Sequence, residues 1–239
     1  MKNENKRTMK KMKYLLLLAA CTVATGSMTS CLNSDDNDFD SNFTEEELDT
    51  YLTKLSGTYL GKLMFYHRGQ TKNGLRDSMM LDSIENVTWM IRRDSTIVID
   101  NFPDSIYNNA VTGNSDFRKV LAGAPSQTIT CRYSPYKGRT QSNTVDYGFI
   151  ALPDGTVKNN AVYVENKFTD EDNTREYNVE YGYVTYYSNG YNTYYQSNGY
   201  LSSTYNIDFM LIMKDVQCAG VQSFTTEVYP ILLKGVKMW

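Results

Sequence analysis

From Gly57 onward this 239-residue chain falls into two interleaved series of side chains. Tyr59, Gly61, Leu63 and Phe65 alternate with Leu60, Lys62, Met64 and Tyr66. A period of two belongs to strands, whose successive side chains point to opposite faces. The habit returns at Val87–Arg92 and Thr96–Asp100, which flank Arg93-Asp94-Ser95 as a hairpin. It returns at Ser126–Tyr133, Val145–Leu152, Ala161–Phe168, Arg175–Tyr187, Thr204–Lys214 and Thr225–Trp239, with Pro153-Asp154-Gly155 a turn and Asn101-Phe102-Pro103 a break. Roughly nine or ten strands with short connections predict a mostly β fold, an antiparallel meander whose closure into a barrel removes the exposed edges.

Two short stretches keep a helical period instead. Thr44-Glu45-Glu46-Glu47 is a capping box, in which Thr44 caps the helix and Glu47 reaches back. Leu48, Tyr51, Leu52 and Leu55 then share one face, and Gly57 ends the helix. Ser115–Ala122 is the second candidate, with Phe117, Val120 and Leu121 on one side.

The N-terminus has another purpose. Six basic residues and one acid in the first thirteen positions precede the apolar run Tyr14–Ala20 and then small residues up to Ser30, the pattern of a secretory signal over residues 1–30. The run is too short to span a membrane, which takes about 20 apolar residues. Either Cys21 or Cys31 can accept a lipid. Leu18-Ala19-Ala20-Cys21 matches a lipobox better than Met28-Thr29-Ser30-Cys31, but cleavage there leaves a minimal apolar core. Behind Cys31 stand Asp35, Asp36, Asp38 and Asp40, a run that resembles the surface-export tag of Bacteroidota-type lipoproteins and reads otherwise as a solvated linker. Cys31 is therefore the expected lipidation site, and residues 31–43 the tether.

Cleavage there takes six of the 24 basic and one of the 27 acidic residues, leaving 18 and 26. Eight of those acids, and no Lys or Arg, fall in residues 31–50. The negative charge thus sits in the tether, the remainder is balanced, and nothing suggests a nucleic-acid partner. The expected location is the outer membrane, at the cell surface or else facing the periplasm, with the membrane reached through the lipid anchor.

A helix running straight into Gly57-Thr58-Tyr59-Leu60-Gly61-Lys62, behind a lipoprotein signal, resembles the calycin-like lipoproteins of Bacteroidota, relatives of the lipocalins. The resemblance covers most of residues 44–239 and implies one calycin-like β-barrel domain. Lipocalins carry Gly-x-Trp at this point, the aromatic plugging the barrel floor. Tyr59 would take that place, with Lys234 or Lys237 of the last strand as the basic residue over it. The resemblance names no ligand.

Catalytic chemistry has few parts. The one histidine, His67, ends the first strand and reads as exposed. No phosphate loop, HExxH or CxxC pair is present, so neither cofactor nor metal is expected. Thr169–Asn173 lacks the alternating oxygen ligands of a calcium loop. Paired carboxylates need only be neighbours in space, so a carbohydrate-active enzyme stays a minor alternative to a non-enzymatic role. Cys131 and Cys218 are left over after the signal, and in an oxidising compartment they can form a disulfide or stay as buried thiols. Asp77-Ser78-Met79, Asp82-Ser83-Ile84, Asp94-Ser95-Thr96 and Asp104-Ser105-Ile106 resemble the O-glycosylation sequon of Bacteroidota.

The unusual feature is tyrosine. Ten of twenty lie in residues 177–205, punctuated by Ser-Asn-Gly at 188–190 and 197–199, which read as hairpin turns. Strand propensity and core packing explain many of them. The adjacent pairs Tyr186-Tyr187 and Tyr194-Tyr195 cannot all face one core, and they are the candidate ligand-binding residues. Together these features predict an envelope domain that binds a glycan, a small apolar molecule or a protein, with a structural or surface-assembly role as the alternative.

Overall fold

The computed structural model describes residues 43–68, 70–71, 74–75, 79–111, 115–139, 145–159, 161–170, 173–182, 184–188, 191–195, 197–201, 205–218 and 229–238. At 70–71, 74–75, 138–139, 145–146, 169–170, 173, 184–188, 191–195 and 218 it describes backbone alone. The signal, Cys21, Cys31 and the acidic tether up to residue 42 lie outside the described residues. Internal contacts divide the chain into one unit of Met1–Phe39 with Gly138–Asp146 and another of Asp40–Lys137 with Tyr147–Trp239. Of the first, only strand ends at 138–139 and 145–146 are described. All the described helices, and the strands apart from those ends, belong to the second.

Helix α1 spans Glu45–Leu55 with the expected capping box: the Glu47 amide donates to Thr44 Oγ1 (3.2 Å) and the Thr44 amide to Glu47 Oε2 (2.9 Å). Tyr51 and Leu55 are buried. Phe43, expected in the tether, instead stacks on Tyr51, with ring centroids 5.8 Å apart. Glu47 also accepts from Lys137 (2.9 Å), and Asp49 pairs with Arg93, so the helix is fastened to the barrel at both its faces.

Eleven strands form one sheet: β1 (Gly57–His67), β4 (Met79–Arg92), β5 (Thr96–Phe102), β6 (Gln127–Arg139), β7 (Val145–Pro153), β8 (Thr156–Lys158), β9 (Ala161–Asp170), β10 (Asn173–Gly182), β13 (Asn198–Leu201), β14 (Asn206–Cys218) and β15 (Tyr229–Lys237). Its order, β13-β7-β6-β5-β4-β1-β15-β14, is closed by β13 pairing with β14, an eight-stranded antiparallel barrel. Strand β14 forks. Its first half pairs with β13, Leu201 opposite Ile207, and its second half with β10, Tyr177 opposite Cys218. Beyond β10 the wing continues through β9 to β8. Two small hairpins stand outside this sheet, β2 (Gln70–Thr71) with β3 (Gly74–Leu75) and β11 (Val184–Ser188) with β12 (Tyr191–Tyr195).

Three local expectations are corrected. The long strand Arg175–Tyr187 is two, because the chain leaves the wing after Gly182 to form the β11–β12 ribbon. Asn198-Gly199 is no hairpin turn. It lies in β13, where Gly199 stands opposite Phe149 on one side and Phe209 on the other, and a Cβ at Gly199 would collide with the Phe149 ring. Glycine serves here for close packing rather than for positive φ. The break read at Asn101-Phe102-Pro103 comes later, since β5 runs through Phe102; after Pro103 the chain winds into a 3₁₀ helix, Asp104–Ala110, leading to α2 at Ser115–Ala122 with Phe117 and Leu121 buried.

Among the described residues, the barrel interior is filled. Tyr59, Leu63, Phe65, Trp89, Phe149, Phe209, Leu211, Ile231 and Leu233 are all 0 % exposed, so none borders a space large enough for a water molecule. Gly235, opposite Gly61 across β1 and β15, leaves room for the indole of Trp89. Trp89 in turn stacks on Tyr59 at 6.0 Å.

Candidate functional site

Strand β10 carries different chemistry on its two faces. Inward, Tyr177, Val179 and Tyr181 are buried. Tyr177 and Tyr181, part of the tyrosine-rich segment, are therefore core. Their hydroxyls meet the 3₁₀ helix: Tyr177 donates to Asp104 Oδ2, and the hydroxyls of Tyr181 and Tyr107 bond each other. Tyr107 meets Tyr177 edge-on at 6.4 Å, and Phe168 does so at 6.1 Å. Burial pushes the Asp104 carboxyl up to about 7, against which the Tyr177 hydrogen bond works only in part. Burial likewise drives the Tyr107, Tyr177 and Tyr181 phenols well up.

Outward, Glu180 lies opposite Asp215 of β14 and opposite Tyr163 of β9. Glu180 accepts from Lys214 Nζ, and Asp215 Oδ2 from Gln217 Nε2 (2.7 Å). Burial raises the Asp215 carboxyl to about 6; hydrogen bonds from Gln217 and the Val216 amide oppose it, and the Glu180 charge adds to it. This is the one place where the described residues bring two carboxylates into register with a tyrosine beside them. The sequence held no sign of it, since the two acids are 35 positions apart.

The candidate binding residues divide. The β11–β12 backbone sets Tyr186 opposite Thr193, Tyr187 opposite Asn192, Tyr194 opposite Thr185 and Tyr195 opposite Val184. Each adjacent pair therefore occupies consecutive strand positions, as expected. The side chains of Tyr186, Tyr187, Tyr194 and Tyr195 lie outside the described residues. Farther along, Tyr200 and Tyr205 are exposed, at 47 % and 44 %.

At the other end of the barrel, Tyr59 donates to the Leu55 carbonyl (2.6 Å). Of the two candidate lysines, Lys234 is exposed and pairs with Asp208 (3.2 Å). Lys237 stands opposite Tyr59, and its ammonium donates to the Lys54 carbonyl (3.0 Å) at the negative end of α1.

Residues 54–218 match the model of a family described as a domain of unknown function, DUF4840. The chain belongs to that family. The DUF4840 match opens in the last turn of α1 and ends with β14, so it takes in both faces of β10, the 3₁₀ helix and the β11–β12 ribbon. No curated protein and no solved structure matches the chain.

Three further expectations meet the structure. Cys131 is a free, fully buried thiol, so the bridge to Cys218 is not formed; Cys131 lies on β6, opposite Ile97 of β5, while Cys218 ends β14, opposite Tyr177 of β10, and its side chain lies outside the described residues. Burial pushes the Cys131 thiol up, which keeps it in the unreactive protonated form. His67 is half-buried rather than exposed, with its ring 5.4 Å from that of Tyr229. Of the Asp-Ser serines, Ser83 is exposed on β4, Ser95 and Ser105 are half-buried, and Ser78 lies outside the described residues. Among the described residues, no group of three or more His, Cys, Asp or Glu is placed to hold a metal ion, and no helix is long and apolar enough to cross a membrane.

Proposed function

We propose that this DUF4840 domain is a calycin-like, non-enzymatic binding module. A lipid on Cys31 would hold it at the cell envelope, and it would engage a glycan or protein through its outer surface at the tyrosine-bearing ribbon. The observation that carries this reading is the contrast between a filled barrel and a separate two-stranded ribbon, five residues a strand, outside the barrel sheet. A filled interior argues against a small apolar ligand held within the closed barrel. Tyrosine supplies a flat apolar face with a polar rim at low ordering cost, which suits sugars and protein surfaces alike. The calycin-like reading is supported by Tyr59 at the floor and by Lys237 opposite it.

The test is binding by the mature protein to a glycan array and to envelope extracts, followed by Tyr186→Ser, Tyr187→Ser, Tyr194→Ser and Tyr195→Ser, singly and together. The reading expects the combined variant to lose at least tenfold in affinity with its circular dichroism unchanged. Unaltered affinity would remove the ribbon from the site. A second reading, surface assembly, draws on exposed Leu60 opposite exposed Val236 on β1 and β15, with Met90 and Met238 also exposed. A concentration-dependent mass in solution favours that one.

A further inference from the structure

The end of the barrel opposite Tyr59 is closed by seven residues, Asp104–Ala110, wound as a 3₁₀ helix. Register places its contacts at that end. Tyr229 of β15, opposite Met213 of β14, donates to the Ala110 carbonyl (3.4 Å), and Asn109 donates to Asp82 of β4 (3.3 Å), itself opposite Phe65. Ile106, Tyr107 and Ala110 are buried beneath. Two of the side-chain bonds that hold the helix come from β10, Tyr177 to Asp104 and Tyr181 to Tyr107. Short 3₁₀ helices hold themselves weakly, so such contacts decide whether the segment stays in place.

We propose that Asp104–Ala110 is a proton-controlled plug, seated in the barrel mouth while Asp104 keeps its proton and loosened when that carboxyl ionises. This goes beyond the proposed binding role and does not depend on it. A neutral carboxyl can share a proton with the Tyr177 hydroxyl in this desolvated corner; an ionised one needs water that the seated helix excludes. Asp104 is surrounded by Tyr177 and Tyr181 from β10 and by Tyr107 of its own helix, with Cys131 of β6 acting on Tyr181. At the edges of the plug lie Asp82 of β4, which holds Asn109, and Tyr229 of β15. Neighbouring α2 keeps Asp116, Arg118 and Lys119 exposed, and Lys214 and Asp215 of β14 belong to the outward row with Glu180. The direction follows from burial. A carboxyl that is raised when seated and ordinary when released favours the seated form at low pH, loses that preference as pH climbs from about 4, and has lost it by about 7.

Hydrogen exchange of the full mature chain, read as protection factors so that base catalysis of exchange divides out, tests this directly. Between pH 4 and pH 7 protection at Ile106–Val111 should fall at least tenfold and then level off, while that of β1 and β15 stays constant. Asp104→Asn, neutral and nearly isosteric, should hold protection flat. Tyr177→Phe removes the donor that steadies the carboxylate, so the loss should continue past pH 7. It reports independently even where the asparagine variant does not fold. Constant protection in the wild type, a fall that persists in Asp104→Asn, or levelling at an unchanged pH in Tyr177→Phe would each overturn the plug.

Discussion

Each end of the barrel carries a tyrosine that donates a buried hydrogen bond, and the acceptors differ. At the floor Tyr59 donates to a backbone carbonyl of α1; at the mouth Tyr177 donates to the carboxyl of Asp104. A carbonyl cannot titrate in the range where proteins fold, and a carboxyl can. The floor is an aromatic stack, Tyr59 on Trp89 over Gly235, whose strength comes from apolar burial. The mouth is a mixed cluster whose strength depends on a proton. One fold thus has a fixed end and a conditional one.

The largest effect should come from breaking the fixed end. Trp89→Ala removes a fully buried indole and the partner of Tyr59, and large aromatic truncations of this kind cost about 3–5 kcal/mol. Urea unfolding should show that loss equally at pH 5 and pH 8. A loss that varied strongly with pH would mean that the floor too depends on a titrating group.

Next comes the conditional end. The stability difference between wild type and Asp104→Asn should change with pH by about 2–4 kcal/mol, given about 1.4 kcal/mol for each pKa unit. The sign is set by a carboxyl raised from 3.8 to about 7 in the fold. The wild type should gain on the variant as pH falls from 7 to 4, and the difference should be constant above 7. Asp215, also raised by burial, is present in both proteins and cancels.

How much of this the sequence displays depends on the range of the interactions. The capping box, β1 and the Arg93-Asp94-Ser95 hairpin are local patterns, and each forms as read. Tyr59 at the floor was legible through a three-residue motif. The 3₁₀ helix was not, since Asp-Ser-Ile-Tyr-Asn-Asn-Ala is too short to show a period and its apolar residues are buried by distant strands. The same limit hid the Asp104–Tyr177 and Glu180–Asp215 neighbours, which exist only because β14 forks. Asn198-Gly199 misled because Asn-Gly is a strong turn signal, whereas here the missing Cβ admits Phe149.

That glycine offers the next test. Gly199→Ala keeps the backbone in strand geometry yet drives a methyl into the Phe149 ring, which lies 5.6 Å from Tyr133 and 6.0 Å from Phe209. Overpacking of this sort costs about 1–3 kcal/mol. It falls on the barrel wall between the two ends, so the loss should be independent of pH and should leave protection of the Asp104–Ala110 plug unchanged. A selective loosening of the plug would show that wall and mouth are coupled through Phe149.

The smallest expected effect lies at the outermost support of the floor. Thr44→Ala removes the oxygen that accepts from the Glu47 amide, and loss of such a cap costs about 1 kcal/mol. Glu47 is half-buried, and its carboxyl is held below the usual range first by the Thr44 amide, then by Lys137, and least by the Thr44 hydroxyl. Only the last and smallest of these contacts uses the threonine hydroxyl, and the larger two should survive the substitution. The cap loss should therefore be nearly the same at pH 5 and pH 8, in contrast with the mouth. Chemical denaturation of Thr44→Ala at both pH values measures it. The informative comparison is with Glu47→Gln, which keeps a side-chain acceptor for the Thr44 amide but gives up the charge facing Lys137. If Glu47→Gln costs less than Thr44→Ala, α1 is held to the barrel mainly by its own cap and by Leu55 and Tyr51 packing beneath it. If it costs distinctly more, the ion pair to β6 carries the floor, and the fixed end would itself weaken as acid protonates Glu47.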